Sequence, residues 1–454
     1  MKAGAGTREG AQYNPSMSRP RASPALAMGL GPRSIALATL LLFGNCGHPD
    51  LPADPGKIVV RAPCDGRVTD TAAHPMTAVA KPSKGETYVD PAFGTSITRV
   101  TAADPREGPN AVIKTLYSTM PAWNADESLL LLWHREQGHE LYNGEEPYGF
   151  IRALPLQSPT DIEQVLWDPI DPNVLYYPSN YNAVPRFMEH RVRPTDSDRV
   201  LHDFRSPPTN CPVDWGQLLR LGADPQWMGW GPRKIVGLRC GETVFLYSIT
   251  EDAVLSVTTA RGTPNAPIAA PSETSAVIDG FVLDLRLNIQ RRLLMANPYE
   301  HASIGRTKAG YDTWNAVAFD GSEIGSLVSH RLDTGDRKVI IGPATGYPYP
   351  PSSTHISGVA QQAPGWVAVG IVGQHTGATP LDNEIVLANL DTGQVCRVAH
   401  ARTYAGTTSD GRWGYWSETH LVISPTATRV LFNSDWMNGP TVDTYVVDLR
   451  KARR

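Results

Sequence analysis

From Tyr88 onward the apolar positions come in short runs of β-branched and aromatic residues, interrupted by Gly, Pro, Asn and Asp. Examples are "SITRV", "SLLLLWH", "NVLYY", "KIVGLRC", "TVFLYSI", "FVLDL", "WNAVAF", "LVSHRL", "GWVAVGIV", "EIVLANL", "RVLFNS" and "TYVVDL". Most have strand length, and apolar stripes at helical spacing are nearly absent, so the pattern predicts a many-stranded all-β protein. The runs also recur in order. "MPAWNADESLLLLWH", "VLWDPIDPNVLYYPS", "GADPQWMGWGPRKIVGLRC" and "HLVISPTATRVLFNSDW" each begin with an aromatic or apolar position. A Pro/Asp/Asn turn follows, then an apolar strand. "VSHRLDTGDRKVI", "LANLDTGQVCRVA" and "YVVDLRKARR" close three units with a further strand and turn. Four-stranded repeats of roughly 40–50 residues are the signature of a β-propeller.

Residues 90–454 leave room for seven blades, a better fit than six or eight. They centre on 110–158, 160–206, 213–258, 270–296, 299–342, 353–400 and 418–450, the fourth being the least sharply marked. "SITRV", near 96–100, would complete the last blade and close the ring, pairing strand edges otherwise open to aggregation.

Upstream the composition changes. Residues 1–50 read as signal and lead, 51–88 as a Pro-rich linker ("PADPG", "AHP", "KPSKGE"), and 89–454 as the propeller domain. Arg19, Arg21 and Arg33 precede "SIALATLLLFG", Ser34 to Gly44, too short to span a bilayer but the size of a secretory-signal core. Met17 or Met28 would be a better-placed start for such a signal. An exported, extracytoplasmic protein is expected. Cys46 follows closely and would accept a lipid anchor, although Phe43-Gly44-Asn45 departs from the small residues usual before such a cysteine. This anchor would be the sole link to a membrane. With Cys46 lost or lipidated, Cys64, Cys211, Cys240 and Cys396 allow three pairings. Cys211 and Cys240 are nearest in sequence and would staple one blade. No Cys-x-x-Cys spacing supports a cysteine-rich zinc site. A net charge of −4 argues against a phosphate-neutralising surface, so nucleic acid is not an expected partner. A monomer is expected.

The segment "HLVISPTATRVLFNSDW" resembles the "SPDG" turn-and-strand repeat of TolB-like and WD40-like propellers, with Thr426-Ala427 in place of Asp-Gly. A narrower resemblance is to the propeller polysaccharide lyases of the oligogalacturonate lyase and ulvan lyase kind. It is carried by "FGTSITRVT" (93–101) with "YSTMPAWNADESLLLL" (117–132). The resemblance implies a metal in the central channel, held by histidines from the last two blades. His355 in "THISGVA" and His420 in "ETHLVISP" stand at the matching places. Glu418 and, approximately, Tyr415 stand where that family has a further His and a Gln.

Innermost propeller strands converge on the channel, so side chains at their entrances meet although far apart in sequence. His301 in "EHASIG", His355 and His420 each open a different inner strand. Neutral imidazoles with a carboxylate such as Glu418 would hold a divalent metal, zinc or manganese. Each histidine would otherwise bond only backbone or water. A lyase acting by β-elimination on a uronate-containing polysaccharide or oligosaccharide needs the carboxylate neutralised, a base and an acid. His301 is the expected base, and then not a ligand, with Arg306 as the carboxylate partner; Tyr404 or Tyr415 would be the acid. "HREQGHE" carries His134 and His139, which ulvan lyase-like chemistry makes secondary candidates; Gly138 and a preceding strand exclude a helical metalloprotease motif. "AHART", with His400 and Arg402, opens a Tyr-, Trp- and Gly-rich connection suited to stacking on sugar rings. No nucleophile elbow, phosphate-binding loop or dinucleotide fingerprint occurs, so no nucleotide or organic cofactor is expected. The competing expectation is a non-catalytic propeller that binds a glycan or protein through its top face.

Overall fold

Seven antiparallel sheets follow one another along the chain, as the spacing of the apolar runs predicts. The computed structural model describes residues 62–293, 301–318, 324–347, 354–374 and 376–451. The expected signal and the anchor cysteine Cys46 lie outside these residues. The first blade is built from Ile113–Lys114, Leu129–His134, Gly138–Asn143 and Phe150–Ala153. Leu166–Trp167, Ile268–Ala269, Ala302–Arg306, Thr354–Ser357 and Val422–Ile423 are the inner strands of the second, fourth, fifth, sixth and seventh blades. In the third, the inner position is reduced to a bridge between Arg220 and Arg239. The weakly marked fourth blade is present, with short strands ending at Ile289–Arg292. Ser96–Arg99 pairs with Asp443–Asp448 as the outer strand of the last blade, and Thr87–Val89 adds a fifth.

The apolar runs are long because blades stack face to face: both faces of the second strand are covered, and Leu129 to His134 are all buried. The aromatic position that opens three of the repeats is anchored through its indole. Trp123 Nε1 donates within the first blade to Gly144 O at 3.0 Å, while Trp167 Nε1 to Ala122 O at 3.1 Å and Trp227 Nε1 to Trp167 O at 2.8 Å tie neighbouring blades. These three buried indoles thus have their donors satisfied. Gly237 marks the tightest approach, where a Cβ would sit 1.5 Å from Pro267 O of the fourth blade.

Two interruptions fill the channel. In the first blade the inner strand leaves the ladder after Lys114 and rejoins it at Trp123; in the third it does so between Arg220 and Gly229. Gln226, on the second excursion, donates to Ala302 O at 2.9 Å and accepts from Ile304 N at 3.3 Å, crossing to the fifth blade. At the other end Gln361 Nε2 reaches Pro169 O at 3.0 Å, joining the sixth blade to the second. The axis is therefore bridged by protein below the entrance.

The segment expected as a linker is described from Ala62, and there it is strapped to the propeller. Cys64 is bonded to Cys396, Val68 bridges to Arg397, and Lys81 pairs with buried Asp443 at 2.6 Å. Cys211–Cys240 is the second disulfide, as proximity suggested. Two disulfides suit an oxidising compartment. Among the described residues no helix is long and apolar enough to cross a membrane.

Candidate metal centre

His301, His355 and His420 arrive at one place because each stands at the entrance of an inner strand and the strands share an axis. The rings of His301 and His355 stack with centroids 4.6 Å apart, and those of His355 and His420 lie 4.3 Å apart at 70°. Glu418 faces both: its Oε2 is 3.6 Å from His355 Nε2 and 3.8 Å from His420 Nε2. One donor atom from each of His355, Glu418 and His420 falls within 4.8 Å of the others. His420 holds φ at +32°, a backbone state that a non-glycine residue adopts only when its surroundings impose it. Here Thr115 Oγ1 donates to His420 O at 2.7 Å, while Asn433 Oδ1 and Nδ2 engage the Thr115 amide and hydroxyl at 3.0 and 3.1 Å.

Among the described residues, both ring nitrogens of His355 and of His420 are buried without a hydrogen-bond partner. Leaving such groups unsatisfied costs roughly 1–3 kcal/mol each, so their retention points to a ligand. Burial, followed by the other cations of the cluster, holds both imidazoles well below the ordinary histidine range, in the neutral form that ligates. Soft-to-borderline nitrogens with one carboxylate fit a divalent cation such as zinc or manganese.

Aromatic rings wall the site. Tyr117 from the first-blade excursion lies 5.5 and 5.6 Å from the His355 and His420 rings, and Tyr415 lies 4.5 Å from His420. The Tyr415 hydroxyl donates to Glu163 Oε1 at 2.6 Å, and Lys114 Nζ reaches the same oxygen at 3.1 Å. Burial raises the Glu163 pKa and outweighs Lys114, which opposes it. Asp224, on the third-blade excursion, is pushed up to about 7 by burial. Outside this wall Trp413 stacks on Tyr415 at 4.6 Å and is 53% exposed.

Other expected residues are not brought here. Arg306 closes the strand that His301 precedes, and a strand advances ~3.3 Å per residue, so it lies at the far end of the blade. It bonds Gly310 O at 3.1 Å and faces Asp312 at 3.8 Å, away from the histidine cluster. His400 and Arg402 are buried under the N-terminal strap, not exposed to sugar. Asp90 lies 3.6 Å from His400 Nδ1, and Arg402 donates to Thr77 O at 2.6 Å. His134 and His139 flank a hairpin turn, and each is committed locally. His134 sits between Glu140 at 2.8 Å and Glu107 at 3.1 Å. His139 bonds Ile162 O at 2.9 Å, and burial takes its pKa to about 4. Tyr404 is held through its amide by Asp435 at 2.8 Å, leaving Tyr415 and Tyr117 against His420. Lys114, Tyr117, Glu163 and Asp224 were missed. Glu163 carries a readable signal, standing three residues before an inner strand as His420 stands two before another; the strand interruptions that carry Tyr117 and Asp224 have none.

The ring of seven four-stranded blades, almost without helix, makes this chain a β-propeller. No family model and no curated protein matches it. Among solved structures it is similar to an oligogalacturonate lyase from Vibrio parahaemolyticus, with TM-score 0.55 and 12% identity over 81% of this chain and 97% of that one. It is also similar to an oligogalacturonate lyase in complex with manganese, with TM-score 0.53 and 13% identity over 80% and 95% of the two chains. At such identities the likeness establishes the shared propeller fold.

Proposed function

We propose that the channel mouth is a divalent-metal site serving β-elimination on a uronate-containing glycan outside the cytoplasm. The observation that carries this reading is the pair of buried imidazoles, His355 and His420, with all four ring nitrogens unbonded beside Glu418. These three residues would hold the metal, zinc or manganese. When bound, the cation supplies charge that neutralises the substrate carboxylate and so acidifies the neighbouring C–H. His301 is the base in this reading, since it borders the cluster and is less buried than its partners. Tyr415 is the acid: its hydroxyl gives a proton to the leaving oxygen and is resupplied by Glu163, whose burial favours the protonated carboxyl. The fold shared with a manganese-bound oligogalacturonate lyase agrees with this chemistry.

The test is elemental analysis of purified protein, paired with the ultraviolet absorbance of unsaturated product on polygalacturonate and other uronate polysaccharides. One metal per chain, lost in His355→Ala and His420→Ala together with product formation, is expected. Protein that keeps no metal after dialysis and releases no unsaturated product refutes the reading. Exposed Trp413 on the rim favours, in that event, the second reading: a non-catalytic propeller that binds glycan through its top face.

A further inference from the structure

A cavity of about 220 Å³ lies beside the cluster, over the second and third blades. The two share a wall, because Glu163 lines the cavity and its carboxylate carries the Tyr415 hydroxyl that borders His420. A site for a drug-sized ligand takes ~300–1,000 Å³, so this space suits one ring of a longer chain. Trp215 stands on its rim with 69% of its surface exposed, an apolar face that folding leaves uncovered. Arg220 lines the same cavity; its backbone is tied to Arg239, and its guanidinium has no ion-pair partner among the described residues. Asp161 adds a carboxylate that uses one oxygen on the Glu163 amide at 2.9 Å.

The loop that presents these groups is pinned. Cys211 is bonded to Cys240, Leu219 exchanges bonds of 3.0 and 2.9 Å with Asn180, and Leu221 N donates to Gln164 Oε1 at 2.7 Å. Rigid presentation lowers the ordering cost of binding. An indole face, an unpaired guanidinium and a carboxylate at one pocket match the apolar face, the anionic group and a hydroxyl of a charged sugar.

We propose that this cavity is a subsite for an anionic pyranose, with Trp215 stacking on the ring, Arg220 pairing with its carboxylate or sulfate and Asp161 accepting from a hydroxyl. The assignment rests on the glycan reading of the channel mouth and places a neighbouring residue of the same chain. The test titrates full-length protein, stripped of metal by EDTA, with trigalacturonate, its methyl ester and a sulfated galactose trisaccharide, read by calorimetry. Trp215→Ala and Arg220→Ala are expected to weaken trigalacturonate binding at least tenfold, with Arg220→Ala also erasing the preference for acid over ester. Preference for the sulfated probe identifies sulfate as the anion. Wild-type affinity in both variants, or no binding of any probe at millimolar concentration, overturns the subsite. Failure of the lyase reading is separate: binding then persists without metal uptake or unsaturated product.

Discussion

His420 shows how much of its setting one side chain requires. Its left-handed backbone, its buried ring and its unbonded nitrogens would each destabilise the fold, and Thr115 and Asn433 hold them in place. Thr115→Val removes the hydroxyl that fixes the His420 carbonyl and leaves the imidazole itself unchanged. For the proposed metal site, affinity read by competition with a chelator is expected to fall about 10–100-fold, as for other residues that orient ligands. Two further histidines, outside this cluster, set an acid limit on stability. His139 and His330 are buried, and their folded pKa values lie at about 4 against 6.5 for the free side chain. The unfolded chain binds the extra protons between these values, so stability is full above pH 6.5 and falls as pH drops toward 4. Urea unfolding is expected to show a loss of up to about 3 kcal/mol per histidine over that window. His139→Gln removes its share of the slope. Histidines at strand entrances were legible as candidates, with Glu418 and Tyr415 beside them; Lys114 was not, because it sits on a short apolar strand, and Tyr117 was not, because it rides on an interruption of that strand.

Blades were legible because Pro, Asp and Gly turns separate runs whose side chains have to be covered on both faces. The strap was not. Its Pro-rich stretch has no periodicity, and it is held by partners hundreds of residues away. Asp443 concentrates this hold: it is buried between Lys81 and Arg99 and accepts from the Ala103 amide at 2.8 Å. Asp443→Ala leaves two cations facing a void, and breaking such a buried pair costs about 3–5 kcal/mol. A drop in the thermal midpoint, with early proteolysis near residues 62–86, is expected by calorimetry and mass spectrometry. Replacing Cys64 and Cys396 with Ser is expected to cost about 2–5 kcal/mol in the same assay, since the bridge closes a very long loop.

Across the molecule, Ser96–Arg99 is the outer strand of the last blade and covers Asp443–Asp448. A chain beginning after residue 103 would leave Asp443–Asp448 as an open edge, and such edges pair with other chains. That variant is expected to elute as aggregate in size-exclusion chromatography, where the strapped chain elutes as one species. Strand length, turn placement and the seven-fold repeat follow from local order, because covering alternate side chains and reversing the backbone are short-range demands that Leu, Trp, Pro and Gly answer within a few residues. Which side chains meet is a long-range matter. His301, His355 and His420 are neighbours only because three blades turn about one axis, and Tyr117 and Glu163 join them only where other blades complete the circle. Arg306, five residues from His301, is carried away by the rise of the strand they share. Proximity along the chain and proximity around the channel are set by different dimensions of the fold.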